Sequence, residues 1–282
     1  MIHPKKIKIA ISLLLAIMAV TILLVRLLVL MKYQKINSNS QMKYASDIIP
    51  SGSKIQITPS PSIILNDDYP ASTSGYAISW PQCGKRYPTA PYDFGIIGVT
   101  GGYSFNYNPC LHSEYKWAKN AKYEPSFYIN LDYPIPISKS LIQSFNCGVN
   151  DEECIAYNYG YETGKKAYEY ALSQQAISNI WWLDVQIVSR WSKNKMINSQ
   201  VVLGAVNFFK DNNLKVGLST TPYQWNTVVG DLKTNLPNWI PGMLNKSKAA
   251  QYCLDGTSYS DGYVKQLAYI DNGFEAVYVC RK

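Results

Sequence analysis

Histidine is nearly absent from this chain. Its 282 residues hold two, His3 and His112. His3 precedes a long apolar run. A Ser-His-Asp or Cys-His hydrolase would have to work through His112, which has no nucleophile signature beside it. Metal-ligand spacing is missing as well. No C-x-x-C and no Cys/His cluster occurs, so zinc is the weaker reading of the cysteines, and neither a metal nor a cofactor is expected. A basic stripe is also lacking. The formal charge of +8 misleads, because residues 1–74 carry 8 Lys/Arg against 3 Asp/Glu and the rest carry 19 against 16. The lysines of the larger part are scattered, which argues against a nucleic-acid partner. Any chemistry must rest on carboxylates, amides and aromatic rings.

What is present begins with a membrane signal. Lys5, Lys6 and Lys8 precede an apolar run from Ile9 to Met31, with Arg26 near its far end. Those 23 residues are enough to cross a hydrocarbon core of about 30 Å. The run exceeds the roughly 7–15 residues of a signal-peptide core. Its basic flank favours a cytoplasmic N-terminus. The sequence thus predicts a cytoplasmic segment (1–8), a transmembrane signal anchor (9–31) and an extracellular remainder. The alternative is a long cleaved signal and a secreted protein. From Lys32 to Ser74 the chain is rich in Ser, Asn and Pro without a helical or strand period, as in a flexible linker. Gly75 to Lys282 is long enough for one domain with a sizeable core.

That domain holds all six cysteines, Cys83, Cys110, Cys147, Cys154, Cys253 and Cys280. An even number beyond a membrane-targeting segment points to disulfides in an oxidising compartment. Fifteen pairings are possible; sequential pairing is the favoured one, with the short Cys147–Cys154 loop the most secure.

Short apolar runs alternate with longer helical patterns. Strands are expected at 76–79, 94–99, 126–131, 180–185 and 215–219, then near 239–240, 264–268 and 277–279. Helices are expected over about 111–121, 154–174, 199–212 and 222–229. Gly160 and Gly164 look like close-packing points in the long helix. This order predicts an α/β fold, a β/α barrel of eight strands with working residues at the C-terminal strand ends.

The segment Trp181-Trp182-Leu183-Asp184-Val185-Gln186 is the most informative. Residues i and i+2 of a strand share a face, so Asp184 and Gln186 share one surface. Two carboxylates at that spacing would suit sugar cleavage, but Gln186 has no proton to give. Asp132 is the candidate for a relocated acid; its alternative role is a loop cap. Trp80, Trp182, Tyr223, Trp225, Trp239 and Gln266 are candidate sugar contacts, with core packing as the alternative for each aromatic ring.

GYAISWPQCG, FGIIGVTGGYSFNYNPCL, YNYGYETGKKAYEYA, WWLDVQ, LSTTPYQW and the closing Gln266…Cys280 run in an order that resembles secreted bacterial glycoside-hydrolase-like domains. These are distantly similar to the family 25 glycoside hydrolases, the lysozyme-like muramidases. The resemblance spans Gly75 to Cys280. It implies an irregular TIM-like barrel, extracellular placement and a peptidoglycan-type glycan as partner. In that group the first strand carries an Asp and the fourth ends Asp-x-Glu, the Glu being the general acid. Here those positions are Ala77, Asp184 and Gln186, and of an acidic pair before the last cysteine only Glu275 remains, with Val277 at the other place. A glycan-binding domain with degenerate catalysis is therefore expected. A working glycosidase with a relocated acid and a surface interaction domain that keeps only the scaffold are the alternatives.

Overall fold

A computed structural model of the chain describes residues 69–148 and 150–280. The cytoplasmic segment, the apolar run 9–31 and most of the linker lie outside the described residues. Among the described residues no helix is long and apolar enough to cross a membrane.

Eight strands close into a barrel in sequence order: β1 (Ser74–Ile78), β2 (Gly95–Gly98), β3 (Ser126–Asn130), β4 (Ile180–Asp184), β5 (Lys215–Ser219), β6 (Asn238–Met243), β7 (Val264–Asp271) and β8 (Phe274–Val279). Neighbours from β1 to β7 pair in parallel, whereas β8 runs antiparallel to both β7 and β1. The expected parallel order therefore breaks at the last strand. Only Asn272 and Gly273 separate β7 from β8, and Asn272 and Gly273 both have positive φ. A two-residue turn of that kind closes an antiparallel hairpin; a parallel return would need a crossover of a dozen residues or more.

Among the described residues six α-helices surround the strands: α1 (Leu111–Ala118), α2 (Lys139–Ser144), α3 (Glu152–Ser173), α4 (Lys195–Asp211), α5 (Pro222–Val228) and α6 (Lys246–Asp255). Local chemistry sets their starts. The Asp151 carboxylate accepts from Cys154 N at the head of α3, with Glu152 and Glu153 in the first turn. Thr221 caps α5 and Pro222 occupies its first turn. The helices α3 and α4 pack so closely that a Cβ on Gly160 would overlap the Val201 carbonyl oxygen.

Strand alternation sorts the core into two layers. Trp181 faces outward toward the helices, its ring 4.8 Å from Phe209 and 5.1 Å from Phe127. Trp182 faces the lumen with Ala77, Ile96, Trp239 and Val277. Gly217 leaves room for it, since a Cβ there would overlap the Trp182 ring. Each fully buried aromatic or aliphatic side chain contributes about 1.5–3 kcal/mol in transfer terms. Tyr69, in the stretch with linker composition, is buried and stacks on Phe94 at 4.0 Å.

The cysteines pair sequentially, Cys83–Cys110, Cys147–Cys154 and Cys253–Cys280. They tie the loop after β1 to the start of α1, the loop before α3 to its first turn, and α6 to the end of β8.

Candidate functional site

The mouth of the barrel is where the lumen-facing row of β4 ends. Asp184 closes that row and is 6% exposed. It pairs in register with Asn130 on β3 and Ser219 on β5. The Asn130 amide donates to Asp184 Oδ2 at 2.6 Å. Thr100 fixes that amide's orientation, because its hydroxyl donates to Asn130 Oδ1 at 2.9 Å and leaves the nitrogen facing Asp184. The Gln186 amide donates to the same Oδ2 at 2.8 Å. Asp184 and Gln186 thus bond to each other, but β4 ends at Asp184, so the loop after it, not the strand period, places Gln186.

Glu275 completes the site, and strand ends read in the usual direction do not find it. Residues at C-terminal strand ends mark the mouth of a parallel barrel. Because β8 is reversed, its N-terminal end lies there, and Glu275 sits opposite Ala77 on β1 and Ile270 on β7. Ala77 thus has a carboxylate opposite it on the adjacent strand. The sequence resemblance had named Glu275 as what remains of an acidic pair, and the Asn272-Gly273 turn, which reverses the last strand, was the signal for its place at the mouth.

Burial raises three carboxyls of the described residues to about 7, Glu114 on α1 and the two at this mouth. Burial pushes the Asp184 carboxyl up to about 7, the nearby Glu275 charge adds to this, and the hydrogen bonds from Asn130, Gln186 and Ser219 oppose it. Burial likewise raises Glu275 to about 7. No cation among the ion pairs of the described residues serves either group. Near neutral pH the pair therefore retains part of its protons. Since Oδ2 of Asp184 already accepts two amide N–H groups, a proton on this residue belongs on Oδ1. Burial also raises the Tyr128 and Tyr259 hydroxyls, which stay protonated; that of Tyr259 donates to Leu218 O at 3.0 Å.

The other sequence candidates scatter. Asp132 is fully buried. Arg190 bonds it through Nε at 2.6 Å and again through a terminal nitrogen, and the Tyr159 hydroxyl donates to it at 3.1 Å. Its oxygens are occupied, so the structure corrects its candidacy as the acid: it serves as an ion-pair anchor. Trp182 and Trp239 are 2% exposed and fill the lumen, and Trp225 is 1% exposed between α5 and the barrel. None offers an open ring face, so their place is in packing. Gln266 also differs from expectation. It pairs with Trp239 and with Val279, at the far end of β8 from Glu275. It lines a cavity of about 400 Å³ at the N-terminal ends of the strands, together with Trp182 and Ile180. Trp80 and Tyr223 remain open, at 49% and 71% exposure, just beyond the C-terminal ends of β1 and β5. No group of three or more metal-ligating side chains occurs among the described residues.

The chain matches no family model and no curated protein. Solved structures of lysozymes and muramidases are similar to it. The modular autolysin LytC from Streptococcus pneumoniae is 12% identical with a TM-score of 0.49, covering 74% of this chain and 46% of its own. This chain thus spans less than half of the autolysin's length. A muramidase from Acremonium alcalophilum is 14% identical with a TM-score of 0.48, covering 74% of this chain and 94% of its own. A family GH25 lysozyme from Aspergillus fumigatus is 14% identical with a TM-score of 0.48, covering 75% and 95%.

Proposed function

We propose that the barrel mouth binds a cell-envelope glycan of the peptidoglycan type and has lost the proton donor that cleavage through β4 would need. One observation carries this reading. At the place where a general acid would stand, the Gln186 amide points its N–H into Asp184. An amide there can hold a sugar oxygen but cannot protonate a leaving group. Neutral donors, buried carboxylates and the open rings of Trp80 and Tyr223 form an array that suits hydroxyl-rich ligands. The glycan class comes from the sequence resemblance. In this proposal the run 9–31 anchors the protein in the membrane and the mouth faces outward, where three disulfides are stable.

A second reading has its own support. Asp184 and Glu275 are each held near 7, so the pair retains a proton that hydrolysis could use.

Purified full-length protein and peptidoglycan fragments decide between them, with binding read by calorimetry and cleavage by new reducing ends. Wild type should bind without turnover above background. Gln186→Glu, alone or with Ala77→Asp, should add cleavage, since general acids contribute about 10²–10⁴-fold. Robust wild-type hydrolysis that Glu275→Gln abolishes would replace the first reading with the second. Absence of any glycan binding would remove both.

A further inference from the structure

Asp132 and Arg190 are 58 residues apart in sequence, and neither is part of the carboxylate pair. Their bonds nevertheless fasten four segments of the chain. Asp132 follows β3. Its Oδ1 accepts from Ser104 N at 3.2 Å, in the loop after β2, and from the Tyr159 hydroxyl on α3. Its Oδ2 takes Arg190, from the loop after β4. The Arg190 guanidinium also lies over the Tyr103 ring, 4.7 Å from its centre. Its carbonyl oxygen accepts from Tyr133 N at 2.6 Å. Three of these contacts, to Asp132, Tyr103 and Tyr133, hold Arg190 and with it the short stretch after β4.

That stretch carries Gln186. Beyond β4 the chain bends back on itself. The Gln186 carbonyl oxygen accepts from Ser189 N at 3.1 Å and from Trp191 Nε1 at 2.8 Å. Trp191 adjoins Arg190, so a displacement of Arg190 moves the indole that holds the Gln186 backbone. On its other flank Ile187 N donates to Gln224 Oε1 at 2.9 Å. Gln186 is therefore suspended between β4 and an anchor point at Arg190. An ion pair to a fully buried carboxylate is a stiff anchor, because releasing it strands a charge away from water. A planar guanidinium that is also stacked on a ring loses little further freedom when bound.

We infer that Arg190 is a positioning residue whose clasp on Asp132 delivers the Gln186 amide to Asp184 Oδ2. This rests on the reading of Gln186 as part of the site, but the consequence shows on Asp184 with no glycan present. The Gln186 bond favours the charged form of Asp184. Loosening the clasp should remove that bond and let the carboxyl rise further.

The test is a pH titration of the Asp184 side-chain carbon by NMR in the full-length protein. A Glu275→Gln background leaves one titrating group in the pair. Gln186→Ala should raise the Asp184 midpoint by about one pH unit, as expected for loss of a hydrogen bond to the charged form. Arg190→Ala should reproduce most of that rise, and the double variant should move no further than Gln186→Ala alone. Arg190→Lys should restore part of the wild-type midpoint. If Arg190→Ala fails to fold, Tyr103→Ala loosens the same guanidinium and should give a smaller rise in the same direction. An unchanged midpoint in folded Arg190 or Tyr103 variants would overturn the inference, as would fully additive shifts. Failure to bind glycan would overturn the functional reading and leave this outcome standing.

Discussion

Two buried aspartates close neighbouring segments, Asp132 two residues beyond β3 and Asp184 at the last position of β4, and the protein treats them in opposite ways. Asp132 is fully enclosed and carries a guanidinium, a tyrosine hydroxyl and a backbone amide. Asp184 is almost as enclosed, yet it receives only neutral donors and lies near a second carboxylate. The first arrangement fixes a charge and uses it as an anchor. The second leaves a group whose protonation is still open near neutral pH. Burial alone does not say what a carboxylate is for; the nature of its partner does.

The largest expected effect comes from making Asp132 resemble Asp184. The Arg190 side chain is half-exposed, but removing it leaves an enclosed carboxylate without its cation, so Arg190→Ala should cost about 2–3 kcal/mol of stability in urea unfolding. A cost below about 1 kcal/mol would place the pair with ordinary surface bridges, and the contrast would collapse.

A smaller effect follows from the Asp184–Glu275 pair. Both carboxyls are raised to about 7 in the folded protein, against about 4 in an unfolded chain. Between those values the native state holds protons that the unfolded state has released. Stability should therefore fall as pH rises from about 4 to about 7, and then level off. Asp184→Asn with Glu275→Gln should reduce that fall to the share left by Glu114, whose carboxyl is also raised to about 7, and should raise stability at pH 8. Thermal unfolding across pH measures it. A wild-type curve that rises over the same range would mean that the pair is compensated after all.

The smallest effect belongs to the rim. Trp80 is half-exposed, so Trp80→Ala should leave the melting temperature nearly unchanged while lowering glycan affinity by about 1 kcal/mol, roughly fivefold. Trp225→Phe should do the reverse, because that ring is buried and its Nε1 donates to Leu232 O.

Much of the architecture was legible because it is periodic. The runs at 126–131, 180–185 and 215–219 became β3, β4 and β5 within a residue of their expected ends. The helix over Cys154–Gln174 became α3, with Gly160 as its contact point. Helices α2 and α6 were missed. Each is short, and neither carries a long apolar stripe, with no buried residue in α2 and only Ala249 in α6. Trp182 and Trp239 were candidate sugar contacts, but the lumen is filled by side chains, and only the last residues of each strand reach the opening.

The sequence by itself determined that the residue two beyond Asp184 is an amide with no proton to give, since amide chemistry is a local property. It also determined that the domain has cysteines for three disulfides and a single histidine, His112. Only the tertiary structure decided that Glu275 joins Asp184 and that Asp132 belongs to Arg190. Those partnerships join residues 91 and 58 positions apart. They follow from the reversal of β8 and from the packing of loops against each other. Contacts closed over such distances leave no repeat in the chain, and whether a buried carboxylate ends beside a cation or another acid depends on every element that encloses it.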